Sequence, residues 1–236
     1  MWSDNITIIL SVVALFLSTT NLLFTYIKRL KEFQDKALER HKIKLNIKKM
    51  EFEHDLMNSI YSKSDSIDIY LKLTKNMLNE IYPDNAFIVS IKLISKSNAE
   101  NPLESEVITL ASYPNSRNIE PVYKIKNNTD LSTIIGDNNE YFFVSDLKEY
   151  SVLKSYINES NHYIECYNTS IVFPIQKGNK NSEDIIGFLC VTSPQRLNDV
   201  KKNKMLMDII KSAATIAYKY LTENKLRQEV ISIKNN

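Results

Sequence analysis

The side chains that could do chemistry are few and scattered. The three histidines, His41, His54 and His162, are far apart in sequence, and no metal triad or Cys–His pair is visible among them. The two cysteines, Cys166 and Cys190, form no C-x-x-C, so reduced thiols in a cytosolic setting are expected. Cys190 lies in an apolar run and reads as buried and inert. Acidic residues occur with no spacing that forces two of them onto one face. With only 3 glycines the chain lacks the material for most phosphate-cradling loops. No catalytic role is expected, and no metal, haem or bilin cofactor. The 30 basic and 28 acidic residues nearly cancel, so whole-chain charge points to no nucleic-acid partner.

One polar cluster stands where chemistry is unusual. Ser18, Thr19, Thr20 and Asn21 form a full turn inside an otherwise apolar, uncharged run from Ile6 to Ile27. A helix of that length spans roughly 30 Å of hydrocarbon. Thirteen of its side chains are Ile, Leu, Val or Phe, contributing about −4 to −8 kcal/mol towards insertion. No basic stretch precedes the run and no A-x-A-like site follows it, which argues against a cleaved signal peptide. Ser and Thr satisfy themselves on preceding carbonyls. Asn21 can hydrogen-bond to its copy in a neighbouring helix, a hint of oligomerisation. Lys28, Arg29, Lys31, Lys36, Arg40, Lys42, Lys44, Lys48 and Lys49 follow the segment. Positive-inside bias puts the C-terminal side in the cytoplasm, with residues 1–5 outside. The expectation is a single-pass protein of the cell inner membrane, with the lipid bilayer as its first partner.

The elements that would position any site come next. Residues 28–65 read as a helical stalk. Ile43, Ile47, Met50, His54, Met57 and Tyr61 recur at spacings of four and three, the rhythm of a coiled-coil seam. Leu30, Phe33 and Ala37 keep that rhythm in another register, which places a stutter near Arg40. A parallel homodimer, or a higher homo-oligomer, is one reading; a single amphipathic helix on the membrane is the other. From 66 to 222 the pattern is that of an α+β domain on a mainly antiparallel sheet. A helix over Ile67–Ile81 precedes strands Ala86–Ile94 and Glu106–Tyr113, then a short extended piece near Tyr123. A small helix around Leu131 to Ile135 is closed by Gly136. A strand Tyr141–Val144 leads to a helix through Tyr150, Leu153 and Ile157. Strands Thr169–Ile175 and Ile185–Val191 flank the turn at Lys177–Asn181. A long helix from Lys201 and a polar tail, 223–236, end the sequence.

Three segments carry a family likeness: "YFFVSDL" (Tyr141–Leu147), "TSIVFPIQKG" (Thr169–Gly178) and "IIGFLCVTSP" (Ile185–Pro194). In their order and pattern they resemble the GAF domains of phosphodiesterases, phytochromes and many bacterial regulators. The resemblance covers roughly Ser66 to Leu221. It implies a pocket for a small molecule on one face of the sheet, roofed by Val122–Gly136 and Val144–His162. Ser145, Asp146, Tyr150, Tyr156 and His162 would then line it, with Thr192 facing them from a strand. Each also has an ordinary structural reading, such as Asp146 as a helix cap. The cyclic-nucleotide, bilin and methionine-sulfoxide subclasses are not matched in their marker residues. The ligand stays unknown. The function implied is a membrane-anchored sensory module signalling through dimer or oligomer rearrangement. The alternatives are a membrane-perturbing effector triggered by ligand-driven clustering, as in anti-phage systems, and a non-binding membrane scaffold.

Overall fold

The computed structural model describes residues 2–61, 67–114, 122–154, 156–159, 163–178 and 184–223. Side chains are described from Thr19 onward, except at 21, 38, 41, 59–61 and 201. The chain divides into two units, 1–48 and 49–236.

Helix α1 runs without interruption from Trp2 to Tyr61, through both the expected membrane segment and the stalk. Within it there is no Pro or Gly to break the backbone ladder. Among the described residues no helix is long and apolar enough to cross a membrane. The side chains of 6–18 and of Asn21, on which much of that expectation rests, lie outside them. Thr19 and Thr20 are exposed.

The second unit is built on six strands: β1 (Ile88–Lys96), β2 (Glu106–Tyr113), β3 (Tyr123–Lys124), β4 (Phe142–Val144), β5 (Thr169–Gln176) and β6 (Ile185–Ser193). Their order is β3-β2-β1-β6-β5-β4, and every pairing is antiparallel. The helices are α2 (Ile67–Ile81), α3 (Thr129–Gly136), α4 (Leu147–Lys154), α5 (Tyr163–Cys166) and α6 (Val200–Glu223). Together they form a GAF-like α+β fold.

Both faces of the sheet are covered, which explains why β5 and β6 read as near-continuous apolar runs rather than alternating ones. On one face, Val89, Ile91, Leu93, Ile171, Phe173, Leu189 and Val191 pack with Leu71, Leu78, Ile210 and Ala217 of α2 and α6. Phe52 and Leu56, from the end of α1, join the same core. The Tyr70 hydroxyl ties α2 to α6 by donating to the Ala213 carbonyl at 2.5 Å. On the other face, Val107, Val172, Phe188 and Cys190 pack under Ile125, Leu131, Ile134, Phe142 and Leu147. The two cores lie on opposite faces of the strands.

Helix α3 ends at Gly136 as expected, with Asp137 as its cap and Asn138 following at a positive φ of 53°. Two expectations need correction. Helix α4 ends at Lys154 rather than reaching Ile157. The Ile157 N–H instead donates to Thr129 Oγ1 at 2.8 Å, and its carbonyl accepts from the Thr129 N–H at 2.8 Å, so the chain is drawn out of the helix. Met57 leaves the expected seam and packs against the core of the domain.

Candidate functional site

The face of the sheet expected to bind a ligand is roofed by α3, α4 and residues 156–159. Strand alternation aims Phe188, Cys190 and Thr192 of β6, and Ser90 and Lys92 of β1, at this side. At Lys92 the β1–β2 pairing slips. Ile91 pairs with Ala111 and Lys92 with Thr109, which leaves Leu110 as an extra residue on β2. Bulges of this kind re-aim neighbouring side chains, and here the neighbour is Lys92, in the middle of β1.

The Lys92 ammonium lies 4.6 Å from the centre of the Tyr123 ring. Its charge also acts on Asp130, in the first turn of α3. Asp130 is only 3% exposed. Oδ1 accepts the Leu131 N–H at 3.0 Å, and Oδ2 lies 3.4 Å from the Tyr156 hydroxyl. Burial pushes the Asp130 carboxyl above the usual carboxylate range, while Lys92, the Leu131 N–H and the Tyr156 hydroxyl pull the other way. Asn158 donates to the Tyr156 hydroxyl at 3.4 Å. Phe142, Tyr150 and Tyr156 form a triangle of rings with centres 5.9–6.3 Å apart. This gives an apolar enclosure with a small number of polar groups, the usual make-up of a small-molecule site.

The structure brings Tyr150, Tyr156 and Thr192 to this face. Ser145 and Asp146 belong to a knot at the end of the sheet instead. The Ser145 carbonyl accepts from the Thr169 hydroxyl at 3.1 Å. Asp146 Oδ1 accepts the Glu149 N–H at 3.2 Å, which makes Asp146 the N-cap of α4, and Arg196 Nη2 lies 2.7 Å from Oδ2. Both carboxylate oxygens of Asp146 are thus committed to holding the roof. His162 lies outside the described residues.

Lys92, Tyr123 and Asp130 were missed by sequence reasoning. A signal existed for Lys92, since a charge amid "IVSIKLI" on a central strand has no solvent to face. Asp130 gave none, because an acid in a first helical turn reads as a partner of the helix dipole. Under the roof the side chains of the second core pack against one another. A cleft of about 410 Å³ opens elsewhere, lined by Lys96, Asn98, Glu100, Glu104, Glu106 and Lys124 at the β1–β2 end of the sheet. There Glu104 is held below its usual range by hydrogen bonds from Lys126 and Lys124 at 2.6 and 2.9 Å. Among the described residues no group of three His, Cys, Asp or Glu side chains is placed to hold a metal ion. Cys190 is buried and Cys166 exposed.

No family model and no curated protein matches the chain. Solved structures do. The GAF domain of A. aeolicus nlh2, in an inactive state, is 12% identical with a TM-score of 0.49, over 76% of this chain and 99% of its own. The GAF domain from an Acinetobacter phosphoenolpyruvate-protein phosphotransferase is 12% identical with a TM-score of 0.45, over 74% and 94%. The free methionine-R-sulfoxide reductase from Neisseria meningitidis, in complex with its substrate, is 10% identical with a TM-score of 0.45, over 75% and 91%. By its two-sided antiparallel sheet and the strands that carry the likeness, this chain contains a GAF-like domain.

Proposed function

We propose that the chain is a membrane-tethered sensory module whose GAF-like domain binds a small molecule between the sheet and the α3–α4 roof. The carrying observation is Asp130, a carboxylate kept under the roof in the field of Lys92 although burial disfavours its charge. Groups perturbed by desolvation and a specific partner, set among aromatic rings, mark binding sites more often than plain cores. Entry requires the roof to move. Helix α4 suits that, because Leu147 is its only buried residue while Val152 and Leu153 are 85% and 73% exposed. The role is binding rather than catalysis.

The tether is the run Ile6–Ile27, with the basic stretch after it on the cytoplasmic side. Two experiments test the reading. The full-length chain is screened by thermal shift against nucleotides and metabolites, beside Asp130→Asn. A ligand at 100 times its Kd stabilises wild type by about 2.7 kcal/mol, and the variant loses that response. A ligand that stabilises both equally places the site elsewhere. Separately, the chain is expected to stay with membranes after an alkaline wash; release into the aqueous fraction removes the tether. Dye release from vesicles on adding ligand would move the chain to the membrane-perturbing reading.

A further inference from the structure

We infer that Tyr156 is a built-in occupant of the roofed site, and that the ligand, a flat ring carrying a hydrogen-bond donor, enters by displacing it. Such displacement presupposes the binding reading proposed above and specifies what is bound. The Tyr156 ring is 7% exposed and packs against Phe142 and Tyr150, with centres 6.3 and 6.2 Å away. Its hydroxyl lies 3.4 Å from Oδ2 of the buried Asp130. Rings against rings, with a donor on a buried carboxylate, are how a site would hold an aryl ligand. Here the chain supplies the aryl group itself.

The segment that carries Tyr156 is held by α3 and not by its own sequence. Thr129 accepts the Ile157 N–H on Oγ1 and donates its own N–H to the Ile157 carbonyl, both at 2.8 Å. Asn128 Oδ1 accepts the Glu159 N–H at 3.4 Å, and Asn127 Nδ2 donates to Glu159 Oε1 at 2.5 Å. Leu147 to Glu159 contain neither Gly nor Pro, so nothing local ends α4 at Lys154. Were the helix to run on, about 100° per residue would set Ile157 within roughly 20° of Tyr150, and Tyr156 roughly opposite the buried Leu147. Ile157, now 59% exposed, would turn towards the roof while Tyr156 swings out. Residues 156–159 thus have two arrangements. In one they are latched to α3 with Tyr156 inside. In the other they are wound onto α4 with Ile157 inside. A phenol-like ring takes the place that Tyr156 vacates, against Phe142, Tyr150 and Asp130, and so favours the second.

The test is hydroxyl-radical footprinting of the full-length chain, read by mass spectrometry as the ratio of oxidation at Tyr156 to that at Ile157. Thr129→Val nearly keeps the shape of the side chain and removes the acceptor that holds the Ile157 N–H. It is expected to raise the ratio severalfold and to add helical signal in circular dichroism. Fraying would raise both rates together, and an ineffective latch would leave both unchanged; either overturns the inference. Phenol at millimolar concentration is expected to raise the ratio in wild type, binding at least about tenfold more tightly than toluene, which lacks the donor. A ratio that phenol leaves unmoved, or moves no more than toluene does, overturns it as well. A metabolite whose stabilising effect depends on Asp130 while the ratio stays fixed overturns the displacement of Tyr156 and keeps the proposed site. A phenol effect undiminished in Asp130→Ala counts against the proposed site itself.

Discussion

Replacing Asp130 by Asn isolates the cost of the charge beneath the roof. The amide keeps the shape, retains Oδ1 as acceptor for the Leu131 N–H at 3.0 Å, and offers Nδ2 to the Tyr156 hydroxyl 3.4 Å away. It loses the attraction of Lys92. Because desolvation outweighs that attraction, the carboxyl titrates higher when folded than when unfolded. The unfolded value is about 3.9. Between the two values the native state holds more protons than the unfolded one, so stability falls as pH rises through that window and levels off above it. Below the unfolded value the penalty is absent. Each tenfold displacement of the acid equilibrium is worth about 1.4 kcal/mol, or about 3–6 °C in a domain of this size. Thermal denaturation of wild type and Asp130→Asn, followed by circular dichroism from pH 4 to pH 8, reads the difference directly. The variant is expected to be the more stable at pH 8, with the two curves converging near pH 4, while its ligand response is lost. A variant less stable at pH 8, or a difference that does not change with pH, would refute the reasoning.

Three further outcomes follow from the packing. A Cβ on Gly187 would lie 2.3 Å from the Lys92 carbonyl oxygen, so Gly187→Ala is expected to destabilise by about 1–3 kcal/mol, read from the denaturant midpoint; an unchanged midpoint contradicts the close approach of β1 and β6. Tyr70→Phe removes the hydroxyl that joins α2 to the Ala213 carbonyl and should cost about 0.5–1.5 kcal/mol in the same assay. Asp146→Ala removes the cap of α4, at about 0.5–2 kcal/mol, and its amide exchange is expected to speed up across Leu147–Lys154 more than in β5 or β6; uniform change across the domain would show that Asp146 does not act through α4.

How much was legible in the sequence depended on whether the decisive contact was local. Strand β2 lies at Glu106–Tyr113 as expected, and helix α2, Ile67–Ile81, lies between the expected polar break and the turn at Pro83, since such boundaries are written in neighbouring residues. Helix α4 stops short of Ile157 because Thr129, nearly thirty residues away, holds that backbone. Gly136 marked the end of α3 correctly, while the left-handed position just beyond it fell to Asn138, whose side chain tolerates it. Asp146 was read both as a ligand contact and as a cap, and Arg196, from beyond β6, helps to fix it as the cap. The electrostatic influence of Lys92 on Asp130 joins a strand to a helix start across the second core, and no spacing rule links the two.

The extra residue at Leu110 gives β2 one position it can spare. Because of it, Leu110 and Ala111 both turn toward the helix-backed core, while Val107 before them still reaches the opposite one. Deleting Leu110 would leave Ala111 opposite Ile91 and Thr109 opposite Lys92, with every remaining side chain on its present face, whereas deleting Val107 would turn over the residues between it and Ala111. A single-codon loss should therefore be absorbed at Leu110 and resisted at Val107. The same holds around Ile186, where β6 carries its own surplus residue beside Gly187.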